Sequence, residues 1–309
     1  MRGWWQDLTD LVLPAECGGC GRPRTVLCPE CRAVLSGAAP RRVRPEPEPA
    51  GLPAVHAAAA YEDGVRAVLL AHKERGALSL ARPLGAALAG AVRAGLGPGS
   101  ESAPGRRADL PDVLDRRRAR PSVPVLPVLP VLLVPVPSRR AAVRARGHDP
   151  ARRIALAAAG ELRQAGTPAR VLSVLRQCRP VADQAGLNSR RRRENLAGAL
   201  AVARGGAGLL RGGAVVLVDD LMTTGASLAE AARAVREAMA AEVGYRDVMT
   251  PVYTGVSRER TGEQMAEETE GGTGERTDVA GKAGTNTLDG LVCAAVVAAS
   301  PDSFEINRN

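Results

Sequence analysis

Two adjacent carboxylates, Asp219 and Asp220, end an apolar run at Val215 to Val218, and the loop Thr223-Thr224-Gly225-Ala226-Ser227 follows closely. An unbroken apolar run suits a parallel strand buried on both faces. Beyond the loop, Leu228 to Val235 carries apolar side chains at helical spacing. A strand, a short loop and a helix start together make an anion site, because free backbone N–H groups and the helix dipole face whatever enters. Hydroxyls at Thr223, Thr224 and Ser227 add donors, and Gly225 lets the backbone come close. The paired acids suit a polyol or a hydrated Mg2+. Phosphate and sugar side by side suggest a phosphorylated ribose. An ATPase strand also ends in acids, but it needs a G-x-x-x-x-G-K-[ST] loop. The pair Gly281-Lys282 has neither that spacing nor a preceding strand. A buried strand followed by a capped helix is the plainer alternative.

The second chemical feature is Cys17-Gly18-Gly19-Cys20 and, after seven intervening residues, Cys28-Pro29-Glu30-Cys31. Each C-x-x-C can turn back so that two thiolates meet one ion, and two such knuckles complete a tetrahedral Zn2+ site. Glycines at 18, 19 and 21 fit tight turns. Four protein ligands leave no open position, so such a zinc is structural. Two disulfides would need an oxidising compartment. A redox pair would sit at a helix start in a βαβ unit, whereas these cysteines lie in a Gly/Pro-rich segment. Cys178 and Cys293 stand alone.

These features must be positioned by a chain of 309 residues that is 2% aromatic, so its core is built from Ala, Val and Leu. So few rings count against single-strand binding by base stacking. The net charge is +9, yet residues 241–289 hold ten acidic and five basic side chains. The remaining body is basic and could attract nucleic acid or phosphorylated ligands. The chain's cations are nearly all arginine, with lysine only at 73 and 282, a pattern that coding bias would also produce. The stripe Trp4, Trp5, Leu8, Leu11 and Val12 lacks the continuous apolar core of a signal peptide, and the run from Val123 to Pro137 is broken by proline. A cytoplasmic location without membrane insertion is expected.

Strands are expected at Val55–Tyr61, Val131–Val136, Val171–Leu175, Leu200–Ala203 (an edge strand), Val215–Val218 and, last, Leu291–Ala299. Helices are expected at Asp63–His72, Leu78–Leu96, Pro150–Ala165 and Ser227–Ala240. Alternation of the two predicts an α/β fold with a parallel sheet flanked by helices. Ligands in such sheets bind beyond the C-terminal strand ends, where Asp219 and Pro137-Ser138 fall. The expected division is a zinc ribbon at 10–40, an extended linker at 40–53 and an α/β domain at 54–240 with a flexible insertion near 97–124. A disordered acidic insertion at 241–289 and a final strand at 290–300 complete it.

The strand–acid–acid–Thr-Thr-Gly segment resembles the signature of type I phosphoribosyltransferases, and the whole arrangement resembles the ComF family of competence-associated proteins with an N-terminal zinc ribbon. Four further segments carry the likeness. These are Tyr61 to Arg66 with Lys73, Val134 to Arg140, Arg146-Gly147-His148-Asp149, and the spaced set Arg179, Gln184, Leu187, Arg192, Asn195. His148-Asp149 departs from the family's aromatic-Asn pair.

The resemblance implies that Asp219 and Asp220 contact the ribose hydroxyls of phosphoribosyl pyrophosphate and that residues 223–227, Ala226 among them, cradle its 5′-phosphate. It implies a pyrophosphate loop at Ser138-Arg139-Arg140, with Arg139 stabilising the leaving group. Lys73, Arg146, Arg179, Gln184, Arg192 and Asn195 are expected as further ligand contacts, some on a mobile cover. Mg2+ would bridge pyrophosphate and ribose. Two functions follow. One is a ligand-binding role in DNA uptake, with single-stranded DNA and a helicase-like ATPase as partners. The other is an active pentosyl transferase in base or nucleotide salvage, its acceptor unidentified.

Overall fold

A computed structural model describes residues 16–97, 129–179, 194–249 and 291–307. The N-terminal stripe, most of both expected insertions, Gln184 and Arg192 lie outside the described residues. So do residues 10–15 of the expected ribbon.

In chain order the elements are helix α1 (Pro29–Ser36), strands β1 (Arg41–Val43) and β2 (Val55–Ala60), and helix α2 (Asp63–Lys73). A 3₁₀ turn (Leu78–Leu80) leads into α3 (Ala81–Leu96), then β3 (Val131–Pro135), α4 (Arg140–Arg146), α5 (Pro150–Gln164), β4 (Ala169–Val171) and β5 (Leu175–Gln177). The rest comprises β6 (Leu200–Val202), α6 (Gly206–Leu210), β7 (Ala214–Met222), α7 (Ala226–Met249), β8 (Leu291–Ala299) and a closing 3₁₀ turn (Pro301–Asn307). Six strands form one sheet in the order β1-β2-β8-β7-β3-β4, parallel except for β1. The fold is thus α/β with a mostly parallel sheet between helices, as the alternating pattern predicts.

Every residue of β3 is buried, and so are Val215 to Val218 of β7 and Cys293 to Ala299 of β8. The apolar runs therefore mark strands covered on both faces. One face packs under α3 and α5, the other under α7. With few rings to fill space, the helices approach through small residues. A Cβ on Gly85 of α3 would collide with Ala157 of α5, so glycine is what permits that crossing.

The last expected strand forms as β8 and lies between β2 and β7, pairing Ala294 with Val55 and Leu217. Three expectations change. The single strand expected at 171–175 is two. After Leu172 N–H donates to Leu133 O at 2.9 Å, the chain leaves the sheet at Ser173, whose Oγ accepts from Arg152 Nε at 3.2 Å. β5 then pairs antiparallel with β6 in a separate two-stranded sheet, so Leu200–Val202 is no edge of the main one. That small sheet is pinned by α7: Leu200 N–H donates to the buried Glu230 carboxylate at 3.0 Å, and Arg233 donates to Leu200 O at 2.9 Å. Finally, the stretch expected as a linker supplies β1, and its Leu52 and Pro45 pack on Gly225. Among the described residues, no helix is long and apolar enough to cross a membrane.

Candidate functional site

The strands β3 and β7 are neighbours, registered Val134 against Leu217 and Pro135 against Val218. Their C-terminal ends therefore open side by side, and the segments that follow them wall one cavity of about 290 Å3. Strand β7 runs farther than its apolar stretch indicates, to Met222, so Asp219 and Asp220 are strand residues. Strand alternation turns their side chains to opposite faces. The cavity is lined by Asp219, Asp220, Thr223 and Ser227 from β7 and its loop, by Ser138, Arg139 and Arg146 from β3 and α4, and by Lys73 from α2. Eight expected contact residues thus converge from three segments of the chain.

Charge is arranged unevenly here. Lys73 Nζ lies 2.8 Å from Asp220 Oδ2. Burial disfavours the ammonium, but Asp220 and then Asp219 outweigh that and hold its pKa above the ordinary value. Asp219, half-buried and without such a partner, behaves in the opposite sense. Burial, followed by the Asp220 charge, pushes its carboxyl well above the usual carboxylate range against the pull of Lys73. Arg146 meets Glu74 through Nε at 3.3 Å, while its Nη1 is buried with no protein partner. Buried donors are ordinarily satisfied, so an orphan at a cavity wall points to a ligand acceptor.

Three consecutive residues at the end of α2 tie this wall together. His72 O faces His148 Nε2 at 3.2 Å, Lys73 reaches Asp220, and Glu74 holds Arg146. The His148-Asp149 departure also has a local account. His148 is buried against His72, with ring centroids 5.7 Å apart, and Asp149 caps α5 by accepting from Arg152 N–H at 3.2 Å. Both side chains serve structure rather than the cavity.

Other expected residues stand apart from the lining. Arg140 turns to the far side of α4. Arg179 is exposed and donates to Asn195 O and Ala197 O, which places Asn195 behind it. Thr224, Gly225 and Ala226 form the turn itself. Gly225 has φ +70 and its missing Cβ faces Leu52 and Pro45, so glycine is required for the turn and for that packing. Gln177, Leu196, Leu200 and Ala142 line the cavity without sequence warning. Only the position of Gln177 beside Arg179 could have hinted at it.

The four cysteines form the other candidate site. The ligand atoms of Cys17, Cys20, Cys28 and Cys31 all lie within 4.8 Å of one another. The first pair is a knuckle, with Gly21 at φ +77. The second pair is not. Cys28 caps α1 and Cys31 lies in its first turn, contrary to the two-knuckle expectation. Backbone N–H groups nonetheless aim at sulfur: Cys28 N–H at Cys17 Sγ, 3.3 Å, and Cys31 N–H at Cys28 Sγ, 3.5 Å. Burial opposes ionisation of Cys17, but donors from Cys20, Cys28 and Gly19 bring it down to about 6. Thiolate is the metal-binding form. A Cβ on Gly19 would sit 2.6 Å from Cys31 Sγ, so the knuckle closes only on glycine. This donor set fits a tetrahedral Zn2+, which could be held here. The remaining thiols differ in setting. Cys178 is exposed, whereas Cys293 is buried in β8, and that burial pushes its pKa up to about 12.

No protein-family model matches this chain, and a search of curated proteins finds no match either.

Proposed function

We propose that the cavity binds phosphoribosyl pyrophosphate together with Mg2+, in the manner of a type I phosphoribosyltransferase-like sheet, and that the cysteine cluster holds a structural Zn2+. The observation that carries the reading is the convergence of an acid pair, three hydroxyls and two arginines at adjoining parallel strand ends. A phosphorylated ribose needs those three chemistries close together. Asp219 offers the carboxylate for ribose hydroxyls, because Lys73 already occupies Asp220 Oδ2. Thr223 and Ser227 face the 5′-phosphate from the start of α7, where the helix dipole favours an anion.

Arg139 and Arg146 stand opposite, where negative charge grows as pyrophosphate leaves. The orphan Nη1 of Arg146 suits a pyrophosphate oxygen. The carboxylates are hard oxygen donors appropriate to Mg2+, which when bound supplies Lewis-acid charge to the leaving group. Displacement at the ribose C1 by an acceptor would make the protein a pentosyl transferase in salvage. Binding alone would suit a cytoplasmic role in DNA uptake, with single-stranded DNA and a helicase-like ATPase as partners. The resemblance to ComF proteins favours the second.

Calorimetric titration with phosphoribosyl pyrophosphate and Mg2+, with pyrophosphate release followed in the same samples, tests the reading. Binding that disappears in Asp219→Asn and Asp220→Asn, with the fold retained, is the expected result. Affinity unchanged in both variants would remove the ribose assignment. Release on adding candidate bases separates transferase from binder.

A further inference from the structure

Two more cavities, of about 360 and 380 Å3, flank α4 on its side away from the acids. The first is lined by Arg140, Arg144 and Arg176, the second by Arg139, Arg140, Arg144 and Arg179. Both share Gln177 with the candidate ribose site, and each shares part of Ser138-Arg139 with it, so the three hollows are neighbours. Some arginines elsewhere are engaged: Arg22 with Glu30, Arg233 with Glu230 and Glu237, Arg236 with Gly51 O, Arg163 with Ala169 O. What sets this region apart is that several arginines line the same two hollows. Arg140, Arg144 and Arg176 have no partner among the described residues, although they stand together. The one carboxylate among the described residues of these walls, Asp149, is committed to capping α5.

Holding like charges together costs free energy through mutual repulsion. Guanidinium groups match phosphate oxygens through paired N–H donors. Among the described residues no aromatic ring lines either cavity, so none of them offers a base a stacking surface there. Arg140 and Arg144 come from α4 and Arg176 from β5, a spread that suits a ligand with more than one anionic centre rather than a single carboxylate.

We propose that Arg140, Arg144 and Arg176 form a groove that binds linked phosphates of a second ligand, a nucleoside diphosphate or a phosphodiester strand, beside the ribose site. The ribose-phosphate reading supplies the context, but the groove stands on its own arginines. Recognition is through the phosphates, with little dependence on the base.

The test uses the full chain and three probes: adenosine, adenosine diphosphate and an unphosphorylated thymidine decamer. Each is titrated with and without saturating phosphoribosyl pyrophosphate and Mg2+. Adenosine should not bind. At least one phosphate-bearing probe should bind, and Arg144→Ala/Arg176→Ala should weaken it about tenfold. Arg144→Lys/Arg176→Lys should restore part of that loss, and both variants should keep the parent's melting temperature. The source is read from the arms: tighter binding of the decamer, with a steep salt dependence, identifies a strand, and tighter binding of the diphosphate identifies a nucleotide. Adenosine binding as tightly as the diphosphate, or probe affinity unaltered in the double alanine variant, would overturn the groove. Absence of phosphoribosyl pyrophosphate binding beside intact, arginine-dependent probe binding would reject the ribose reading and leave the groove standing.

Discussion

The cysteine cluster and the acidic cavity are both built from groups that dislike burial, yet they resolve the cost differently. At the cysteines every sulfur faces another sulfur or a backbone N–H, and Gly19 leaves no spare volume. Such a site is complete once an ion enters. At the cavity the groups do not balance: Asp219 is pushed toward its neutral form and Arg146 Nη1 has no acceptor. That site is complete only when a ligand supplies the missing charges. The first arrangement is suited to holding structure and the second to exchange.

Helix α2 joins the two regions. Its Val68 packs beside Gly19 and Cys31, and Cys17, Cys28, Cys31 and Leu35 share one core with Val65, Leu69 and Leu84. Its last residues hold Asp220 and Arg146. A cysteine module set apart from the α/β body is therefore not what the packing shows. The largest effect should follow from this link. Structural zinc contributes on the order of 10 kcal/mol in isolated zinc fingers. Cys31→Ala should release the metal, lower the melting temperature of the whole chain and weaken ligand affinity together. Metal analysis, thermal circular dichroism and calorimetry would check it. Loss of metal with a cavity unchanged in affinity would separate the regions again.

Next in size is Asp220→Asn, which strips Lys73 of its partner. Lys73 is 32% exposed, so water screens part of the loss and about 1–2 kcal/mol of stability is expected. Adding Lys73→Met should recover that stability without recovering binding, which denaturant titration and calorimetry can separate. A smaller effect is one of pH. The Asp219 carboxyl must lose its proton to accept from a ribose hydroxyl, and its pKa is raised. Affinity should therefore rise with pH above the ordinary carboxylate range, which calorimetry across a pH series would check. The same shift makes Asp219 ionisation destabilising: the folded state holds the proton longer, so its contribution falls as pH rises through the folded pKa. Smallest is Glu74→Gln. Glu74 is 50% exposed, so loosening Arg146 should weaken pyrophosphate binding only about two- to threefold.

Where local spacing carries the information, the sequence is readable. The run Val215–Val218, the acids and the Thr-Thr-Gly turn lie within one strand–loop–helix unit, so their types already state what the backbone does. The cysteine spacing likewise fixes which four thiols can meet, though it conceals that Cys28 caps a helix. Three expected helices begin and end within a few residues of their observed limits because caps such as Asp149-Pro150 are local, whereas the helix expected to stop at Ala240 runs on to Met249, into the stretch expected to be disordered. Glu74 gave no signal and Gln177 only its place near Arg179, since an exposed glutamate and a strand-end glutamine look like any others. Their roles arise from Arg146 and from the neighbouring sheet.

By itself, then, the sequence determined the alternating elements, the acid–hydroxyl loop and the thiol set. Those depend on φ/ψ preference, capping and alternation over a few residues. Tertiary structure alone decided that β8 enters the centre of the sheet, that Glu230 and Arg233 pin β6, and that Lys73 meets Asp220. Those pairings join distant segments through burial and charge, and neither partner carries a local mark of the other.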